Sequence, residues 1–403
     1  MQEHAFGHML RSMREQREAT QADVAEAVRV SRATIAQWEG GRHLPSPDRV
    51  RSLDAFLHAD GALTRLADRE REGPSRPGDQ AEPAGRLTLL DIVRRAEAAL
   101  LERLQYDETG KPIGWCQDLQ KHYEATPVST AFGIRTAVLI DESSKTTLGA
   151  LGDILRRMRM SAEGWGARTQ KVPRPEAIAV VIDALVRVGP VPDLDEAVGM
   201  LRNSFDEVAR QRPAIITTVL ETVIDLRPRS DFAAELIRIL LASRRPCDGV
   251  LLWVEKNEDE LVSPEPSVLH TARSVSVLAR ATSMGVVPAD LEDPVAEALE
   301  PSVRWLRGQT RFENIVEIVI RRTRTGNEIL DLRHFTPAWV VRALVLAGES
   351  PSHPTVVSAV REVRGAFDED HGLWVWRNGD LPIWMTFDAV AALRLAALAA
   401  FVP

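Results

Sequence analysis

The sequence predicts an all-α protein of two unequal parts, a bundle of five short helices and a ring of six helical hairpins carrying one small β-hairpin. Three observations lead there. Apolar residues recur at helical spacing along most of the chain, residues 69–86 interrupt that pattern, and proline-marked helix starts recur six times beyond the interruption. At 403 residues the chain is too long for one small binding module. Hydrophobic residues make up 44% and charged residues 27%, and no uncharged apolar run approaches the roughly 20 residues of a membrane helix. No membrane partner is expected. The N-terminus lacks the basic-then-apolar order of a secretory signal, and Cys116 and Cys247 are too few for a disulfide framework or a cysteine-built zinc site. The expectation is a cytoplasmic protein with no metal and no cofactor.

The charge balance, 50 basic against 58 acidic residues and a net of −8, argues against a chain that coats nucleic acid along its length. Any such contact must be local. Five of the basic residues are lysine and 45 are arginine, a bias that reads as genomic base composition.

Residues 1–68 divide into five helical segments. Phe6, Leu10 and Met13 mark the first, and Val24 and Ala27 the second, which Thr20 and Asp23 cap in near capping-box fashion. After a turn at residues 28–30, Ser31 caps a helix over 32–38 that ends at Gly40 and Gly41. Pro47 opens a fourth helix with Val50, Leu53 and Leu57 inward, and residues 62–68 form a fifth. Two short helices joined by a tight turn inside such a bundle are a helix-turn-helix layout. Residues 69–86 crowd Gly and Pro and hold no apolar residue larger than alanine, so they read as a disordered linker.

The run from Thr20-Gln21 through Ala25, Ser31, Ile35, Trp38 and Glu39-Gly-Gly-Arg42 resembles the Cro/xenobiotic-response-element family, over roughly residues 5–68. That resemblance implies the five-helix lambda-repressor-like fold of phage repressors and a function as a DNA-binding transcription regulator. It implies a structural pair between Arg14 and Glu39. It places Arg32, Ala33 and Gln37 against base edges and Gln21, Thr34 and Arg42 against phosphates, with Arg29, Arg32 and Arg42 flanking the helix that enters the groove. Arginine reads guanine, glutamine reads adenine, and alanine can touch a thymine methyl. The expected partner is double-stranded DNA with a pseudo-palindromic operator, bound by a homodimer. Against this, 11 arginines face 12 acids through Glu72, so no strong positive field marks the domain, and a docking module is the plainer alternative.

Beyond residue 86, inner-helix starts are expected at Pro127, Pro175, Pro213, Pro266, Pro337 and Pro382, since proline in a first helical turn leaves no extra donor unpaired. Trp115, Trp165, Trp253, Trp305 and Trp374 precede five of them, and a sixth unit without tryptophan falls between 165 and 253. Partner helices are expected near residues 87–104, 147–160, 194–210, 232–243, 291–306 and 354–367. Six such hairpins can close into a ring. Residues 317–336 depart from the pattern: Ile318, Ile320, Ile329 and Leu332 flank Thr325-Gly326-Asn327, which reads as a β-hairpin.

The run Gly372-Leu-Trp-Val-Trp through Pro382-Ile-Trp-Met-Thr-Phe-Asp-Ala, with Gly114-Trp-Cys and Pro127-Val-Ser-Thr-Ala, resembles the α/α toroid of terpenoid cyclases and protein prenyltransferases. That implies a toroid over residues 87–403. The cyclases' Asp-x-Asp-Asp is absent, and no set matches the prenyltransferase zinc site, so an enzyme is not expected. Inner-helix N-termini around a ring favour anions. His270, His334, Trp339, Trp384 and Asp388, at or near inner-helix starts, are the candidates for lining a cavity that binds an unknown small molecule or a protein. Seven arginines between 304 and 333 would suit a phosphate-bearing ligand, although a solvated arginine-rich hairpin is the simpler reading. Two other readings stay open: a prenyl- or polycyclic-substrate enzyme with an autoregulatory DNA-binding domain, and a protein-interaction scaffold in phage-related or defence regulation.

Overall fold

The structure is a computed structural model. It describes the chain except residues 1–4, 18, 29, 41–44, 46, 58, 60–62, 65, 68–86, 122, 142–143, 160–163, 167–172, 190–192, 248, 256–264, 324–325, 378 and 401–403. The expected linker at 69–86 lies outside the described residues. The chain divides into two compact units, Met1–Arg86 and Leu87–Pro403.

The smaller unit contains α1 (Ala5–Gln16), α2 (Gln21–Ala27), α3 (Arg32–Glu39) and α4 (Pro47–Leu57). Phe6, Leu10, Val24, Ile35, Val50 and Leu53 are almost completely buried together, at about 1.5–3 kcal/mol of burial per large side chain. Local chemistry sets the helix boundaries. Thr20 Oγ1 accepts from the Asp23 N–H at 3.2 Å while Asp23 accepts from the Thr20 N–H at 2.7 Å, a complete capping box. Ser31 Oγ accepts from the Thr34 N–H at 3.1 Å and starts α3. The expected fifth helix includes positions outside the described residues. Its Leu63 and Ala67 are buried, and the Leu63 and Thr64 N–H groups donate to Asp54 at 3.0 and 2.9 Å.

The larger unit alternates outer and inner helices. The outer ones are α5 (Leu89–Glu102), α7 (Ser144–Arg157), α9 (Leu194–Ser204), α12 (Asp231–Ala242), α14 (Glu292–Arg307) and α16 (Pro354–Gly365). The inner ones are α6 (Pro127–Ile140), α8 (Pro175–Val188), α11 (Pro213–Leu226), α13 (Val268–Ser283), α15 (Thr336–Leu346) and α17 (Ile383–Ala399). Each inner helix packs on the next, and α17 returns to α6, so the six hairpins close into a toroid. The outer helix expected over 194–210 is two pieces, because the chain leaves helical geometry at Phe205 and restarts as α10 (Glu207–Arg210) with Asp206 as its cap. Pro266 precedes α13 by two residues and Ser267 caps that helix, while Pro382 caps α17.

Four tryptophans recur in one structural role. The indole N–H of Trp115, Trp165, Trp253 and Trp374 donates to Leu100, Leu155, Leu240 and Val363, near the end of the preceding outer helix, at 2.7–2.8 Å. The carbonyls of the first three accept the N–H that opens the next inner helix, from Thr126, Arg174 and Ser267. Gly114 and Gly164, just before two of these wedges, have φ of +122° and +123°, and a Cβ there would strike Thr130 or Ile178. Trp305 does not share this role. It precedes α15 in the chain as expected but lies within the outer helix α14, not in the connection between outer and inner helix.

Short antiparallel pairs join outer to inner helices: β1 (Gln105–Tyr106) with β2 (Pro112–Gly114), β3 (Arg245–Cys247) with β4 (Val250–Leu252), and β7 (Phe367–Asp368) with β8 (Leu373–Trp374). The fifth connection is much longer. There β5 (Ile315–Thr323) pairs with β6 (Gly326–His334) in the register Ile315 with His334 to Thr323 with Gly326. Its orientation inverts the usual alternation: Val316, Ile318 and Ile320 are exposed, whereas Glu317, Val319 and Arg321 are buried.

Candidate functional site

In the smaller unit α3 has two chemically distinct faces. Ile35 and Trp38 are in the core, while Arg32, Ala33, Ala36 and Gln37 are exposed and Thr34 is half-buried. The Glu39 carboxylate, at the end of α3, accepts from Arg14 Nε at 2.6 Å and Nη2 at 3.1 Å, and from Gln21 Nε2 at 2.9 Å. Arg14 Nη1 also donates to the Ala19 carbonyl at 3.1 Å. One carboxylate therefore ties α1, α2 and α3 together and sets the angle at which α3 is presented. Its pairing raises the Arg14 pKa, chiefly through the hydrogen bond with Glu39.

Two of the residues expected at phosphates have side-chain partners within the unit. The Gln21 amide is committed to Glu39, and the position it still offers an anion is its backbone N–H at the start of α2. The Thr34 hydroxyl shares a hydrogen bond with Ser31 at 2.8 Å. Arg42 and Arg29 lie outside the described residues.

The toroid holds a cavity of about 770 Å³. Its walls come from the inner helices and the segment 117–126, and β6 forms part of its lining through Ile329 to His334. His334, Trp339, Trp384 and Asp388 line it; His270 does not. His270 is fully buried, with its ring nitrogens 2.7 Å from Ser267 Oγ and from Glu317 Oε1. Its place near a helix start put it on the candidate list, but β5 delivers Glu317 onto it and closes it off. Glu317 also lies 2.7 Å from His334 Nε2 and accepts from Arg212 Nη1 at 3.2 Å. Burial opposes ionisation of Glu317, yet His270 and His334 outweigh it and hold the carboxyl well below its ordinary range. Burial also pushes His334 down to about 4, against the pull of Glu317.

Two of the hairpin's arginines, Arg321 and Arg333, are tied to the ring. Arg321 donates to both oxygens of Glu176, at 2.8 and 3.1 Å, and Arg333 pairs with Asp380 at 3.5 Å.

The deeper part of the cavity carries charges that position along the chain hides. Arg135 pairs with Asp183 at 2.5 Å and lies over the Phe387 ring at 4.0 Å. Glu221 pairs with Arg342 and, at 3.9 Å, with Arg280; Arg280 also meets Asp225 at 2.5 Å. Burial opposes ionisation of Glu221, but Arg342, Arg280, Arg135 and Arg273 hold it down at about 2. Arg273 at 4.1 Å and Arg342 at 4.0 Å both lie over the Trp339 ring, and its indole N–H donates to Asp388 at 3.2 Å. Burial raises Asp388 to about 6, with Arg342, Arg273 and Arg135 opposing it. Arg135, Glu221 and Arg273 are cavity residues the sequence reading missed. A signal for them exists: each inner helix carries a charge inside an apolar run, and Arg135, Asp183 and Glu221 each fall eight residues after the helix-opening proline.

Comparison with known proteins divides along the same boundary. Residues 5–67 match the family model described as a helix-turn-helix domain, and the smaller unit is such a domain. No curated protein matches the chain. Among solved structures, a D-mannose isomerase is 12% identical with a TM-score of 0.51, over 80% of this chain and 100% of that one. A family 76 glycoside hydrolase from a bovine Bacteroides thetaiotaomicron strain is 10% identical with a TM-score of 0.47, over 79% of each chain. At this identity the isomerase likeness speaks for the fold alone. It supports a helical toroid without singling out the terpenoid cyclases or prenyltransferases. Among the described residues no helix is long and apolar enough to cross a membrane.

Proposed function

We propose that the chain is a sequence-specific DNA-binding transcription regulator of the cytoplasm whose toroid senses a small molecule or docks a protein partner. The observation that carries this reading is the two-faced α3: a capped helix with its core side locked by Ile35 and Trp38 and its outer side offering Arg32, Ala33 and Gln37. In this reading those three meet base edges, while Arg42, Thr34 and the start of α2 at Gln21 meet phosphates. One such helix spans only a few base pairs, so a homodimer on a pseudo-palindromic operator supplies the remaining specificity. Footprinting of the full chain on genomic fragments tests it. Two protected half-sites about one helical turn apart, with affinity falling steeply with salt, are the expected result. No protected site in any fragment rejects it.

A second reading makes the toroid an enzyme. What favours it is the presence in one cavity of Asp388, raised to about 6, and His334, lowered to about 4, a separation that acid–base chemistry can use. Since D-mannose isomerase shares the fold, D-mannose is the first substrate to offer, with a prenyl diphosphate as the second. Product detected by NMR with either would promote the enzyme over the sensor.

A further inference from the structure

The Arg273 guanidinium is buried in the cavity wall and differs from the other buried arginines around it. Arg135, Arg212, Arg321 and Arg342 each have a carboxylate within 4.0 Å. Arg273 has no ion pair among the described residues. Its Nε donates to Thr217 Oγ1 at 3.1 Å, and its Nη2 donates to the Ala214 carbonyl at 3.1 Å and to Thr218 Oγ1 at 2.6 Å. Nη1 makes no hydrogen bond among the described residues, and Trp339 covers one face of the group. A buried charge normally has a counterion, because leaving water costs several kcal/mol that neutral acceptors return only in part. The nearby acids are otherwise engaged: Glu221 belongs to Arg342 and Arg280, and Asp388 accepts from Trp339. Burial draws Arg273 down to about 10, against the more distant pull of Asp388, Glu221 and Glu317, and lifts Asp388 to about 6, against Arg342, Arg273 and Arg135.

Another part of the cavity lining is apolar. Phe132, Val180, Ile215, Leu332, Trp384 and Phe387 line it, with Phe132 and Phe387 in a tilted ring contact at 5.6 Å. At about 770 Å³ it falls within the range of sites for drug-sized molecules.

We propose that the toroid binds a small organic anion, an apolar or aromatic body seated among these side chains and a carboxylate or similar single anionic head held by Arg273. The inference rests on the sensing half of the regulator reading and names its ligand class. Nη1, without a hydrogen-bond partner among the described residues, faces the head, and the aromatic wall holds the body.

The test uses the full chain and two fluorescent probes that share an aromatic frame. One is 8-anilinonaphthalene-1-sulfonate and the other N-phenyl-1-naphthylamine, which lacks the sulfonate. The wild type should bind one molecule of the sulfonate per chain. Arg273→Met should weaken it at least tenfold and leave the neutral probe within twofold, since hydrogen bonds to a charged group have about that effect. Equal losses for both probes, no change for the sulfonate, or no sulfonate binding to the wild type overturns the proposal. Should Arg273→Met fail to fold, the wild type alone decides. 1-Naphthoate should displace the sulfonate and 1-naphthalenemethanol should not, and displacement by both is a failure. None of these readouts involves DNA, so they and the footprint can fail independently.

Discussion

The two units handle buried charge in opposite ways. The helix-turn-helix unit uses one carboxylate, Glu39, to collect Arg14 and Gln21, and leaves its candidate contact residues on the outside of a finished helix. The toroid threads charge through its centre, where Arg135, Asp183, Glu221, Arg280 and Arg342 cross-link inner helices around a cavity. A site on a helix exterior can change without disturbing the scaffold. A site made of scaffold charges cannot, and that contrast is testable.

The largest expected effect is from Glu221→Ala, which leaves the buried Arg342 without its carboxylate, while Arg280 keeps Asp225, and should destabilise the toroid by about 3–5 kcal/mol. Glu39→Ala should cost the smaller unit less, because Arg14 keeps the Ala19 carbonyl. Hydrogen exchange read separately over residues 5–40 and 213–226 compares them, and a larger loss at 5–40 would break the contrast.

Next in size is a pH effect confined to the toroid. Folded Asp388 titrates at about 6 against an ordinary 3.8, so the folded chain holds that proton more tightly than the unfolded one. Its contribution to stability is greatest below about 4 and is lost as pH rises through 6, by ~3 kcal/mol. His334 runs the other way. Lowered from 6.5 to about 4, it contributes fully above about 6.5 and its contribution is lost as pH falls toward 4. In the wild type these two slopes largely oppose each other. Asp388→Asn should therefore raise stability to urea at pH 7.5 and steepen its decline in acid. Equal urea midpoints for variant and wild type at every pH would show that Asp388 is solvated.

On the exterior of α3 the effects should spare stability. Arg32→Ala and Gln37→Ala should each lose about 1–3 kcal/mol of discrimination between operator and random duplex with unchanged unfolding, whereas Arg42→Ala should weaken both duplexes alike. Equal loss on both duplexes for Arg32→Ala removes it from base reading. Smallest is Ser31→Ala, which removes the cap of α3 at about 1 kcal/mol and should lower operator and random binding by a similar small factor.

Much of the architecture was legible before the structure because it is written in local chemistry. The Thr20 and Ser31 caps, the prolines opening α6, α8 and α11, and the Thr325-Gly326-Asn327 hairpin signal each act over a few residues. The cavity was legible only in part. His334, Trp339, Trp384 and Asp388 could be proposed from their places at helix starts. Arg135 and Arg273 could not, because they lie deeper in helices whose periodicity reads as plain core. The exposed Ile318 and Ile320 were equally hidden, since alternation alone does not say which face of β5 turns inward.

By itself the sequence determined where helices begin and end, that a helix-turn-helix precedes a larger helical part, and which face of α3 is polar. Backbone capping and 3.6-residue periodicity are properties of neighbouring residues and need no fold to operate. Only the tertiary structure decided that α17 closes onto α6, that Glu317 shuts away His270, and that among the described residues Arg342 has a paired carboxylate while Arg273 has none. Two arginines of identical chemistry differ there because ion pairing is a matter of a few ångströms across the ring. Distances of that kind exist only after the chain has closed.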